Sequence, residues 1–207
     1  GLVLFDASKV HEISVSYEAE EYTDALEAYA DNGDKKWMKV SVTIDGITFA
    51  EAGMRLKGNS SLFGLTAEGA TTEEGDGTEA VNELPVRGPG GGVSAADPQD
   101  LPWLIRLDRE VEGQNYGGIT EMVGRSNGTD TSLNEALALE MLGEAGLATQ
   151  QSIHTRFSVN GGEASLRLVI ENPADEWDAA NFDEPGILYK AESGGDYSYR
   201  GDDPAAY

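Results

Sequence analysis

The densest set of chemically capable side chains in this sequence is Arg55-x-Lys57-Gly58-Asn59-Ser60-Ser61. It follows an apolar run and combines two cations with a conformationally free glycine and three hydrogen-bonding side chains. A lysine point charge, with backbone and hydroxyl donors around the oxygens, suits a triphosphate. The same residues also suit a polar strand end with solvated charges. Arg106 is a lone cation in an apolar strand, between Ile105 and Leu107. Its guanidinium would recognise oxygens through a planar fork rather than as a point charge. Glu135 stands three residues after Ser132, the spacing of a capping box at a helix start. Glu171 closes Leu166-Arg167-Leu168-Val169-Ile170, where a plain strand end accounts for it. Lys190 follows Ile187-Leu188-Tyr189 as an ordinary edge lysine would.

Other chemistry is poorly supplied. His11 and His154 are far apart and in no metal-ligand spacing, so both read as structural. Glu73-Glu74-Gly75-Asp76 and Asp202-Asp203 lack the ligand spacing of an EF-hand loop. Arg200-Gly201-Asp202 spells an adhesion tripeptide, a match short enough to arise by chance. With no cysteine, disulfides and thiolate metal sites are excluded. No residue is assigned as catalytic or as a metal ligand.

The 207 residues are enough for one sizeable core, and 39% hydrophobic residues exclude wholesale disorder. The formal net charge of -24 repels phosphate backbones and anionic lipid, which disfavours nucleic acid and membrane surfaces as partners. It favours divalent cations and basic partner segments. No apolar run is long enough to span a membrane, and any signal peptide would precede Gly1.

The elements that must position these groups follow from periodicity and turn residues. Residues 11–18 alternate as a half-buried strand, and residues 20–31 carry Tyr22, Leu26 and Tyr29 at helical spacing before Asn32-Gly33. Trp37 to Ile44 alternates into Asp45-Gly46, a two-residue hairpin turn, and Ile47-Thr48-Phe49 starts a return that continues through Leu56. Strand patterns recur at 103–107, 153–159 and 165–170, the last two joined through Asn160-Gly161-Gly162. Residues 131–146 predict the strongest helix, with Leu133, Leu137, Leu139 and Met141 apolar and Gly146 closing it. A short helix near 174–181 and a strand at 187–190 come last. Residues 66–99, rich in Gly, Thr, Glu and Ala, predict a flexible surface insertion in a single domain covering 1–207.

Several segments together resemble the CotH-like family, named for a spore-coat protein kinase. They are Val10-His11-Glu12-Ile13-Ser14-Val15, Gly53 to Ser61, Leu101-Pro102-Trp103-Leu104-Ile105-Arg106-Leu107-Asp108, Leu133-Asn134-Glu135-Ala136, Phe157-Ser158-Val159-Asn160-Gly161 and Leu188-Tyr189-Lys190. The tail Gly195 to Asp203 is similar to the secreted bacterial branch. The resemblance implies an α+β fold, an antiparallel sheet with one long packed helix, like the amino-terminal lobe of a protein kinase. It implies ATP with Mg²⁺ as cofactor, held by Arg55, Lys57, Asn59 and Ser60. It makes Arg106 the strand cation, Glu135 its helix partner, Glu171 part of the hinge at the adenine, and Lys190 a further nucleotide contact.

The family's catalytic and metal-binding aspartates would lie in stretches that this sequence does not contain. Phosphoryl transfer depends on a bridging metal and a carboxylate orienting the nucleophile, so this chain alone is expected to be inactive. The resemblance implies an extracellular setting, a protein substrate, and a segment or chain completing the carboxy-terminal lobe. A half-fold would expose an apolar face and invite self-association. The alternative expectation is a non-catalytic extracellular binding or assembly module.

Overall fold

Alternating strands with one apolar face bury that face by folding around a shared interior, and here they do so by closing on themselves. The computed structural model describes residues 1–62, 65, 93–126, 131–184, 186–187 and 198–203. Its strands are β1 (His11–Ser16), β2 (Met38–Ile44), β3 (Ile47–Leu56), β4 (Trp103–Arg106), β5 (Glu121–Gly124), β6 (Ser152–Val159) and β7 (Ser165–Glu171). They form a closed barrel in the order β1-β2-β3-β4-β5-β7-β6. The ring is sealed by a parallel pairing of β1 with β6, Ile13 opposite Phe157, while the remaining neighbours are antiparallel.

This corrects the expected fold class. An antiparallel kinase-like lobe with one long packed helix is not what forms: the sheet is a closed, mixed seven-stranded barrel. The described helices are short, α1 (Ala19–Asn32), α2 (Leu133–Glu144) and α3 (Asp175–Asn181). The physical reason lies at the two ends of the sheet. β1 and β6 both turn apolar residues to the same side, Ile13 and Val15 from one and Ile153, Phe157 and Val159 from the other. Pairing them removes both open edges and completes the interior.

The interior contains Val42, Ile44, Met54, Trp103, Ile105, Met122 and Val169 among its fully buried members. Three polar residues are buried with it, His11, Thr155 and Arg167, and the Thr155 hydroxyl donates to the Arg167 carbonyl at 3.2 Å. Arg167 donates from Nε to the Arg125 carbonyl at 2.8 Å and from Nη2 to the Leu101 carbonyl at 2.7 Å, and lies against the Phe157 ring. Burial pulls its guanidinium down to about 10, with the Asp100 carboxylate acting the other way. His11 is fully buried, with Nδ1 2.7 Å from Asp45 Oδ2.

Asp45 also accepts from the Glu12 amide, the Tyr116 hydroxyl and the Lys9 ammonium. The Asp45-Gly46 turn has φ of 48° and 83°, the primed geometry that matches strand twist. One turn residue thus ties the hairpin to β1 and to the loop carrying Tyr116.

α1 ends on Gly33, whose amide returns to the Tyr29 carbonyl, and buries Ala25 and Leu26. Tyr22 stacks on Tyr17 and donates its hydroxyl to the Ala95 carbonyl at 2.7 Å. Within the expected insertion, residues 66–92 lie outside the described residues, whereas Val93 and Ala95 pack against the core. Residues Ala174–Tyr207 form a separate compact unit. In it Trp177 meets Phe182 edge-on, and Gly186 N donates to Asp178 Oδ2. Of the expected strand at 187–190, residues 188–190 lie outside the described residues. Among the described residues no helix is long and apolar enough to cross a membrane.

Candidate functional site

Strand register decides which of the candidate side chains can meet. Gly53, Arg106 and Glu121 stand opposite one another across β3, β4 and β5, and Arg55, Leu104 and Val123 form the next row. Ile170 continues that row on β7. Residues of these rows alternate with Met54, Ile105 and Met122, which belong to the interior, so the rows lie on the barrel's outer face. Here Leu104, Val123, Leu168 and Ile170 form a second apolar cluster, partly covered by Trp37 and by Ala136 and Leu139 of α2.

Beside that cluster a polar chain links two of the expected residues. Lys57 Nζ donates to Asn172 Oδ1 at 3.2 Å, and Asn172 Nδ2 donates to Glu121 Oε2 at 2.6 Å. Glu121 lies 3.4 Å from Arg106 Nη1, and Arg106 Nε donates to Asp108 Oδ1 at 2.7 Å. The carboxylates of Asp108 and Glu121 and the amide of Asn172 therefore hold the Lys57 and Arg106 side chains over one stretch of sheet.

A second group of cations gathers around Trp37. Arg55 lies 4.9 Å and Arg109 5.5 Å from the ring centroid, a cation–π arrangement. The Nε of Arg55 is buried and meets no acceptor among the described residues. Such a group retains its desolvation cost until an acceptor arrives. Gly53 makes the cluster possible: a Cβ there would fall 2.5 Å from Arg109 Cγ and 3.0 Å from the Trp37 ring. Gly58 has φ of 126° and offers its carbonyl to Lys35 Nζ at 2.5 Å. The chain thus turns after β3 in a conformation that glycine adopts freely. Lys35, Arg55, Lys57, Arg106 and Arg109 gather around the end of β3, with Arg106 paired to Asp108 and Glu121 and Arg109 to Glu110.

Other expected residues go elsewhere. Glu135 pairs with Arg125 at 2.8 Å, so the kinase-type pair with Arg106 is not the one formed. The capping box is not formed either: Ser132 adopts φ of 50°, and its side chain makes no capping bond to the helix. Glu171 shares its register with Met122, on the inward side, and binds the Gln151 backbone amide and side chain. Asn59 is exposed, and Ser60 lies in the 3₁₀ turn Ser60–Leu62. Lys190 lies outside the described residues.

No family model matches the chain, and no curated protein matches it.

Sequence reasoning missed Trp37, Asp108, Arg109, Glu121 and Asn172. Trp37 and Asp108 stood within recognised segments, but only strand pairing shows that they flank Arg55 and Arg106. Glu121 opens a four-residue strand too short for its period to register. Among the described residues, no group of three or more His, Asp or Glu side chains is placed to hold a metal.

Proposed function

We propose that the outer face carrying Arg55, Lys57 and Arg106 binds the phosphates of a nucleotide, with ATP the ligand that the CotH-like resemblance implies. The observation that carries this reading is the buried Nε of Arg55, which meets no acceptor among the described residues, beside the ordered Lys57–Asn172–Glu121–Arg106 chain. An anion here would meet a guanidinium fork and an ammonium already held in position, which lowers the ordering cost of binding. The acidic remainder of the molecule supplies selectivity, because it disfavours long polyanions while a compact triphosphate fits the local cations.

Mg²⁺ does not fit in the same way. Asp108 and Glu121 are engaged by Arg106 and Asn172, so the described residues offer it no ligand set, and no catalytic step is assigned to it. The chain is read as a nucleotide-binding portion of a secreted CotH-type protein, without phosphotransfer of its own.

A second reading is a non-catalytic extracellular binding or assembly module. It is favoured by the Arg125–Glu135 pair, which takes the glutamate that a kinase-type ion pair would use. Calorimetric titration with ATP, inorganic triphosphate and adenosine separates the two. The nucleotide reading expects ATP and triphosphate to bind and adenosine to bind far more weakly. No heat with any of them leaves the module.

A further inference from the structure

α2 is apolar on more sides than the barrel covers. Ala136 and Leu139 rest on the outer cluster, whereas Leu133, Leu137 and Met141 are 54%, 62% and 63% exposed. Spaced by four residues, these three form a continuous stripe along the helix. A helix that is apolar around most of its circumference is normally covered on more than one side. Contiguous exposed apolar surface of this kind marks an interaction site.

The charge around the stripe selects what covers it. The helix contains Glu135, Glu140 and Glu144 and no Lys or Arg, and none occurs anywhere between Arg125 and Arg156. Arg125 already holds Glu135, leaving Glu140 and Glu144 as the carboxylates flanking the stripe. At that flank lies a groove lined by Glu140, Glu144, Gln150 and Gln151. It is a place for a cationic side chain to reach past the apolar contact. A second copy of this chain fits poorly. It would bring two helices with acidic side chains and no basic ones together, on two molecules of net charge -24.

We propose that this face of α2 docks a basic amphipathic segment of another protein, its apolar side on Leu133, Leu137 and Met141 and its Lys or Arg side chains at Glu140 and Glu144. The arrangement is helix-against-helix recognition, with apolar anchors supplying affinity and the acidic flank supplying specificity and rate.

The test is titration of the full chain with a Leu/Lys amphipathic peptide of about 18 residues. A shuffled peptide of equal composition has no apolar face and serves as the comparison. The amphipathic peptide should bind at least tenfold more tightly than the shuffled one. Leu137→Asp with Met141→Asp should lower its affinity at least tenfold, with the far-ultraviolet spectrum unchanged because both positions are exposed. Glu140→Gln with Glu144→Gln should lower it severalfold and flatten its salt dependence. This second variant keeps the test open if the first disturbs the helix. Equal binding of the shuffled peptide would mean general attraction to an acidic protein and would overturn the proposal. So would unchanged affinity in both variants. A dimer of the unmodified chain that Leu137→Asp converts to monomer would assign the face to a second copy instead.

Discussion

Replacing Asp45 by Asn should destabilise the barrel at neutral pH and make little difference near pH 2. Desolvation pushes this carboxyl upward. The Glu12 amide, the Tyr116 hydroxyl, His11 and Lys9 together outweigh that push and hold it at about 2, against an ordinary value of 3.8. A displacement of that size corresponds to about 2 kcal/mol. The side chain is 26% exposed, and allowing for screening leaves about 1–2 kcal/mol. Because the folded value lies below the unfolded one, this stabilisation is complete above about pH 4 and is lost as pH falls towards 2. Asparagine tolerates the left-handed turn conformation and keeps the shape of the side chain, so the substitution removes mainly the charge. Urea unfolding of both chains from pH 2 to 7 reads the difference directly. Other carboxylates titrate alike in both and cancel. A gap of constant size across that range would refute the electrostatic account of the hairpin lock.

Arg167→Lys should lower the urea midpoint by the equivalent of about 2 kcal/mol, since one ammonium cannot serve the Leu101 and Arg125 carbonyls as the guanidinium fork does. An unchanged midpoint would mean that the buried fork is dispensable. Gly58→Ala should cost about 1–3 kcal/mol and weaken anion binding: the Ser61 hydroxyl, 2.1 Å from the added Cβ, can rotate away, but φ of 126° remains strained for alanine. A thermal melt and a triphosphate titration check both parts, and a fully stable variant would show that the turn can relax.

Much of the local structure is legible in the residues because the cause is local. Asp45-Gly46 and Asn160-Gly161 are turns with both residues at positive φ, and the alternation of β2 and β3 is plain. What alternation does not carry is the identity of a strand's neighbour. β1 and β6 were recognisable strands, but their parallel pairing joins Ile13 to Phe157 across most of the chain, and that pairing turns a sheet into a barrel. β5, the link between β4 and β7, buries only Met122, Val123 and Gly124, too few to declare a period.

The same limit governs the site. Lys57 and Arg106 stood out as cations beside apolar runs, but Glu121 and Asn172 join them only through β4–β5–β7 register. At Ser132 the capping pattern lost to a long-range contact: Glu135 is drawn to Arg125 at the end of β5 instead of back to its own helix start. Local pattern proposes a bond, and tertiary geometry decides whether a stronger partner lies closer.

Lys57 and its neighbours are proposed as an anion site distinct from the general charge of the molecule. Calorimetric titration of ATP into the unmodified chain, Lys57→Ala and Arg156→Ala tests this most directly. Arg156 lies on β6, 66% exposed and paired only loosely with the exposed Glu12 at 3.8 Å, so its loss reports mainly the change in overall charge. The unmodified chain should bind. Lys57→Ala should lose about 1.5–3 kcal/mol, roughly ten- to a hundredfold in affinity, and Arg156→Ala should change affinity by about twofold or less. Equal losses in the two variants, or no binding by the unmodified chain, would contradict the proposal.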